Sequence, residues 1–321
     1  MRALRYGNRK VWLDENTEKP IPAPGETLIR VRMAGICRTD LEIAKGYMAF
    51  DGTLGHEFAG IVDSPSTVFR VGARVVGEIN AACGQCDFCR KGWERHCPHR
   101  TVLGIFKRNG CLADWCVLPE KNLYPVPDSV PDESAVWTEL LAAVLEIFEQ
   151  VHIEPTQSVC VVGDGKLGLL VSLVLADRQE GHSVLIGHHA SKLKIVSDRL
   201  ETILEPDVPA SWNKAWDVVI ETSGSTEGLK RAMALVRPRG WIVLKSTPAY
   251  AEPLDLTPLV IDEITVIGSR CGRFEPALRR LSRNRLPLQR LVEAVYPFDQ
   301  VETAWEKASA RGALKVLLRI S

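Results

Sequence analysis

No run of about 18 apolar residues occurs in this chain, so no ordinary membrane-spanning helix is expected. The opening residues Met1-Arg2-Ala3-Leu4-Arg5-Tyr6 carry no apolar export core, and a cytoplasmic protein is expected. Net charge is missing too: 40 Lys and Arg stand against 40 Asp and Glu. A nucleic-acid or anionic-membrane partner would favour a basic excess, so neither is expected. There is no internal repeat and no low-complexity tract. What remains is an ordinary globular composition, 45% hydrophobic and 25% charged over 321 residues, long enough for about two domains.

Cysteine, by contrast, is plentiful and clustered. Of nine cysteines, Cys83, Cys86, Cys89 and Cys97 follow the spacing C-x2-C-x2-C-x7-C within a polar stretch that has no apolar core of its own. Four thiolates so close along the chain suit a closed tetrahedral shell around Zn2+, a site that builds structure and has no open position for chemistry. Disulfides need an oxidising compartment, and an iron–sulfur cluster is the other competitor. Cys111, Cys116, Cys160 and Cys271 have no ligand spacing and are expected to be buried thiols.

The chain reads in three parts. Residues 1 to about 140 are strands and loops, with Thr27–Met33 and Arg70–Gly77 as strands. A helical pattern runs from Glu133 to Val151, and the apolar run Ser158–Val162 suits a strand buried on both faces. Strand and helix patterns then alternate to about residue 270, as βαβ units with a parallel sheet do. The stretch from Arg199 to Asp217 is short for such a unit. The last fifty residues hold an amphipathic stretch, Gln300 to Ala308, and a strand, Leu314–Leu318.

Gly163-Asp164-Gly165-Lys166-Leu167-Gly168 follows the buried strand and opens a helical run. In that setting G-x-G-x-x-G is a dinucleotide-binding turn: Gly163 for the tight turn, Gly165 for close approach of pyrophosphate, Gly168 for helix–strand packing. Lys166 and Leu167 begin the helix, and Lys166 either reaches the phosphates or points to solvent. The next strand, Ser183–Ile186, runs into Gly187, where an NAD site would place an acid on the ribose 2′-hydroxyl. His188, His189 and Lys192 follow, a small and partly cationic mouth that would accept a 2′-phosphate. NADP(H) is therefore favoured over NAD(H).

A third constellation lies upstream. Gly35-Ile36-Cys37-Arg38-Thr39-Asp40 and Gly55-His56-Glu57 bring a thiol, an imidazole and carboxylates into the strand-rich part. A catalytic zinc takes three protein ligands and keeps a fourth position open. Cys37 and His56 supply two, and Glu139 is the candidate third.

Taken in order, these blocks resemble the zinc-dependent alcohol dehydrogenase branch of the medium-chain dehydrogenase/reductase superfamily, in particular its polyol and threonine dehydrogenase-like members. The resemblance covers almost the whole chain. It implies an α/β protein: a GroES-like, β-rich catalytic domain (1–142, with the structural zinc loop 83–97), a Rossmann doubly wound parallel-sheet domain (143–272), and a C-terminal return to the catalytic domain (273–321). It implies two Zn2+ per chain. Cys37 and His56 match the catalytic zinc ligands, and Glu139 falls where some members place a carboxylate and others a cysteine. Glu57 matches the glutamate behind the metal that briefly joins its shell. Thr39 matches the hydroxyl that relays the alcohol proton, Asp40 the carboxylate that orients the ligand histidine, and Arg38 an arginine on the cofactor pyrophosphate. Thr222, Ser269 and Arg270 end later strands where the family backbone lines the nicotinamide, and Arg270 could also meet a substrate anion. Tyr47, Phe106 and Trp137 are pocket-lining or core. The activity implied is hydride transfer between NADP(H) and a small alcohol or carbonyl substrate, by a homodimer or homotetramer. Two other readings stand beside it: a non-catalytic zinc- and NADPH-binding sensor or partner subunit, and a zinc-independent quinone or enone reductase.

Overall fold

The computed structural model describes residues 1–178, 181–246 and 253–321. Two compact units result. The first is built from Met1–Leu140, Phe274–Asn284 and Val292–Ser321, the second from Leu141–Arg273 and Arg285–Leu291.

The first unit is organised on the long strand Glu26–Ile36. Its alternating run buries Leu28, Ile29, Val31 and Met33 while Arg32 stays exposed. Strand Glu57–Val62 pairs antiparallel with it, in a register that sets Gly35 opposite Glu57. Trp115–Pro119 pairs with the first half of the long strand and Lys315–Arg319 with its end, so that Leu317 also stands opposite Gly35. The last strand, 258 residues from Glu57 in sequence for its Lys315, thus closes on the same point of the sheet. The helical pattern read from Glu133 to Val151 breaks into Asp132–Ala135 and Thr138–Gln150. The Thr138 hydroxyl donates to the Ala135 carbonyl at 2.7 Å, a local bond that competes with helix continuation.

The second unit holds a six-stranded sheet in the order Glu201–Leu204, Ser183–Gly187, Val159–Val162, Trp216–Glu221, Val236–Leu244, Thr265–Gly268. Every pairing is parallel. Counted in chain order the strands run 3-2-1-4-5-6, the doubly wound arrangement, which places ligands at the carboxyl ends of its central strands. The four residues of Val159–Val162 are all buried, as a strand covered on both faces must be. Between Arg199 and Asp217 the strand survives, but the 3₁₀ turns Glu205–Asp207 and Ala210–Trp212 replace a crossover helix.

Asp217 pins two strands of this sheet. Its Oδ2 accepts from the Ser158 backbone N–H and hydroxyl, both at 2.8 Å, and its Oδ1 accepts from Arg237 Nε at 2.7 Å. Partial burial would raise its pKa, but these donors outweigh burial and hold it below the ordinary carboxylate value. A depressed pKa contributes stability above the unfolded value that is lost as pH falls through the folded one. Asp217→Asn is expected to destabilise the second unit by about 1–2 kcal/mol at pH 7. The difference from wild type should shrink below about pH 4. Urea titrations at pH 7 and pH 3.5 check this, and an equal loss at both would contradict it.

Candidate active site

Cys37 is the residue on which helix Arg38–Ala44 starts. Its backbone N–H donates to Asp40 Oδ2 at 2.8 Å, while Asp40 Oδ1 takes the Gly55 N–H at 3.2 Å and lies 3.1 Å from His56 Nδ1. One carboxylate, fully buried, therefore ties the start of the helix to the segment entering strand Glu57–Val62. It also sets the His56 tautomer: with Nδ1–H on Asp40, Nε2 is left as the ligand atom. Burial disfavours the imidazolium, but Asp40 and then Cys37 outweigh it and hold the His56 pKa well above the ordinary value. A cation at Nε2 would occupy the place that this proton otherwise takes.

Cys37, His56 and Glu57 bring their donor atoms within 4.8 Å of one another. Thr39 Oγ1 is 3.8 Å from Cys37 Sγ. Glu139 is absent from that group, although its carboxyl feels both His56 and Glu57. Burial raises the Glu139 pKa to about 7, and His56 opposes the rise. Such a carboxyl is short of positive charge. Glu57 is fully buried, its Oε2 bonded to the Lys315 ammonium, and its Oε1 has no hydrogen-bond partner among the described residues. An orphaned carboxylate oxygen costs free energy unless a cation or donor meets it. The donor set of thiol, imidazole and carboxylates therefore fits Zn2+.

Lys315 is a site residue that the sequence reading missed. It is 1% exposed and lies 5.1 Å from the Trp137 ring centroid. The available signal was a single lysine inside the apolar run Leu314–Leu318. Trp137 is a core residue beneath this ion pair, whereas Tyr47 is exposed. Gly35 makes the arrangement possible, since a Cβ there would lie 2.6 Å from Glu57 Oε2 and 3.1 Å from Val136 Cγ1.

In the cysteine loop, sulfur–sulfur distances are 3.5 Å for Cys86–Cys89, 3.6 Å for Cys97–Cys83, 3.7 Å for Cys86–Cys97 and 3.9 Å for Cys83–Cys89. Four sulfurs each about 2.3 Å from one zinc stand about 3.8 Å apart. A disulfide needs about 2.05 Å. The N–H of Gln85 leads in bringing the Cys83 thiol down to about 6, against desolvation. Of the four cysteines outside both clusters, Cys111, Cys116 and Cys160 are buried, but Cys271 is only partly so.

In the second unit Gly163 has φ +113°, Gly165 has open space where a side chain would stand, and a Cβ on Gly168 would meet the Gly163 carbonyl oxygen at 1.8 Å. The turn thus offers a bare backbone to a ligand and a helix pressed against its strand, which fits a dinucleotide pyrophosphate. Lys166 is the first residue of helix Lys166–Arg178, with Leu167 next. Thr222 donates to the carbonyls of Val162 at 2.8 Å and Gly163 at 3.2 Å, tying the turn to strand Trp216–Glu221. Ser269 and the Arg270 carbonyl both receive the Lys245 ammonium. Gly187 ends its strand, with His188 and His189 exposed and Lys192 half-buried after it. In the first unit Arg38 is exposed and ion-paired to Glu42 at 2.7 Å.

Comparison with known proteins agrees with this architecture. The profile described as alcohol dehydrogenase GroES-like domain matches residues 23–128, and that described as zinc-binding dehydrogenase matches 183–283. A sorbitol dehydrogenase of Halalkalibacterium halodurans is 30% identical over 94% of both chains. An L-threonine 3-dehydrogenase of Xanthomonas oryzae is 26% identical over 99% of both. Among solved structures, an alcohol dehydrogenase of Thermus sp. ATN1 superposes with a TM-score of 0.90 at 26% identity, covering 100% of each chain. A Sinorhizobium meliloti 1021 protein described as a zinc-binding dehydrogenase, bound to NADP, does so with 0.89 at 25% over 99% of each.

A GroES-like domain with a Rossmann sheet, matched in this way, defines an oxidoreductase of the zinc-binding dehydrogenase class. More narrowly, the chain belongs to the zinc-type alcohol dehydrogenase family of the medium-chain dehydrogenases/reductases, with polyol and threonine dehydrogenases among its relatives.

Proposed function

We propose that this protein oxidises a polar secondary alcohol, or reduces the matching carbonyl, with NADP(H) and two zinc ions per chain. The convergence of Cys37, His56 and Glu57 on one point, with His56 oriented by a buried aspartate, carries the reading. Sorbitol, arabitol phosphate and threonine, named in its relatives, share a secondary hydroxyl beside further polar groups, and a substrate of that class is proposed here. Cys37, His56 and Glu139 would hold the catalytic zinc, with Glu57 behind it on Lys315. Cys83, Cys86, Cys89 and Cys97 would hold the structural one. When bound, the metal supplies Lewis acidity at the substrate oxygen and the nicotinamide supplies the hydride acceptor.

The chain's own groups orient and move protons. Asp40 keeps His56 in one tautomer, and Thr39 is placed near Cys37 to pass the substrate proton outward. The turn Gly163–Gly168 takes the pyrophosphate, with Lys166 and Arg38 as candidate phosphate partners and Thr222, Ser269 and Arg270 at the nicotinamide end. His188, His189 and Lys192 favour the 2′-phosphate. The nucleotide domain is assigned to 143–272, flanked by the catalytic segments 1–142 and 273–321, of which Arg285–Leu291 groups with the second unit. Strand Thr265–Gly268 pairs only with Val236–Leu244 among the described residues; its Val266, and Val260 and Ile261 of the preceding helix Thr257–Ile261, are exposed. That edge suits pairing with a second copy, and a homodimer or dimer of dimers in the cytoplasm is proposed.

Zinc per chain by elemental analysis tests the central claim. Two zincs are expected in wild type and one in Cys37→Ala. The variant should keep its fold and NADPH binding while alcohol turnover falls to background. A wild type with only the cysteine-loop zinc would favour the non-catalytic reading instead.

A further inference from the structure

The nucleotide turn carries a carboxylate in its second position. Asp164 reaches from the end of strand Val159–Val162 to the end of its parallel neighbour Ser183–Gly187. There its Oδ2 accepts from the His188 N–H at 2.8 Å and the His189 N–H at 2.7 Å, and lies 2.9 Å from His189 Nδ1. The residue is only 7% exposed. Gly187 supplies the room: a Cβ at that position would lie 2.6 Å from Asp164 Cβ and 2.8 Å from its Oδ2. Asp164 and a strand-end acid at 187 therefore exclude one another, by overlap and by like charge.

We propose that Asp164 is a positioning residue that sets cofactor choice: turned inward onto residues 188–189, it takes the place of a strand-end acid and presents His188, His189 and Lys192 to a 2′-phosphate. This rests on the NADP(H) reading above. An acid that grips a ribose 2′-hydroxyl must offer an outward oxygen with an unused lone pair. Oδ2 of Asp164 is instead taken up by two peptide N–H groups and an imidazole. Burial opposes its ionised form, but the His189 hydrogen bonds and Lys192 outweigh burial and keep it charged at neutral pH. These contacts balance the charge on Oδ2 from the loop side. With Nδ1–H on Asp164, the half-exposed His189 ring turns Nε2 away from the carboxylate, and with both ring nitrogens protonated Nε2–H can donate to a phosphate oxygen.

Calorimetric titration of the full, zinc-loaded chain with NADPH and with NADH tests this without turnover. Wild type is expected to bind NADPH at least about tenfold tighter than NADH. Asp164→Ala should weaken NADPH at least about tenfold and NADH less than about threefold. Asp164→Asn, whose amide oxygen still accepts the two N–H bonds, should stay within about threefold of wild type for both. The double variant D164G/G187D moves the carboxylate to the strand end and should prefer NADH, and it keeps the test decisive if Asp164→Ala fails to fold. If wild type prefers NADPH but Asp164→Ala weakens both cofactors equally, or D164G/G187D still prefers NADPH, Asp164 only braces the turn and the inference fails while the NADP(H) reading stands. If wild type prefers NADH and Asp164→Ala abolishes that binding, the carboxylate serves the ribose and both readings fall.

Discussion

Cys83→Ser should lose the zinc proposed for the cysteine loop and open the loop from residue 83 to 97. Outside the thiolates, Arg95 ties this segment to Glu78 at 3.4 Å. Its helix, Asp87–Arg90, is a single turn, far below the length at which a helix persists on its own. Phe88 and Trp93 touch edge to face at 6.0 Å but are 41% and 54% exposed, so they form no core. Only Cys97 of the four cysteines is fully buried. Closure of a four-thiolate shell is worth on the order of 10 kcal/mol in small zinc domains. Each 1.4 kcal/mol lost multiplies the open population about tenfold. Limited proteolysis should therefore cut the variant within this loop at least about a hundredfold faster than wild type, with one zinc left by elemental analysis. A variant that keeps two zincs, or that resists protease as wild type does, would show that something other than a metal closes the loop.

Lys315→Met should destabilise the first unit heavily while leaving the candidate metal ligands in place. Lys315 and Glu57 are 1% and 0% exposed at their side chains. Removing one partner of a buried pair strands the other charge, at about 3–5 kcal/mol, whereas removing both is often close to neutral. Denaturant unfolding should show that loss for Lys315→Met. The double variant Glu57→Gln/Lys315→Met should recover most of it, because the neutral amide no longer requires the ammonium. Strict additivity of the two single losses would mean that the pair is not coupled and that the Trp137 contact alone explains Lys315.

These two sites differ in how far they could be read from sequence. The cysteine loop is local: ligands within 15 consecutive positions, 83 to 97, announce themselves by spacing. The glycine turn is local as well, since strand, glycines and helix are contiguous, and the Rossmann sheet followed from the alternation around it. Family membership was legible because several such blocks occur in order. The Glu133–Val151 helix was misread as continuous because apolar periodicity runs through the break, while the bond from Thr138 to Ala135 depends on a side-chain rotamer that periodicity does not register.

Lys315 and Asp164 were missed for a different reason. Lys315 meets Glu57 across 258 residues, through a register in which Gly35 stands opposite both Glu57 and Leu317. Asp164 meets His189 across 25 residues because two parallel strands end side by side. Neither pairing has a spacing to recognise. Chain-local chemistry, namely metal-ligand spacing, the bare-backbone turn and the strand and helix periods, was determined by the sequence on its own, because those features depend on neighbours a few residues apart. Which charges neutralise one another in the interior, and what fills the space at Gly35 and Gly187, was decided only by the tertiary structure, because burial and sheet register bring together groups whose order along the chain carries no trace of the contact.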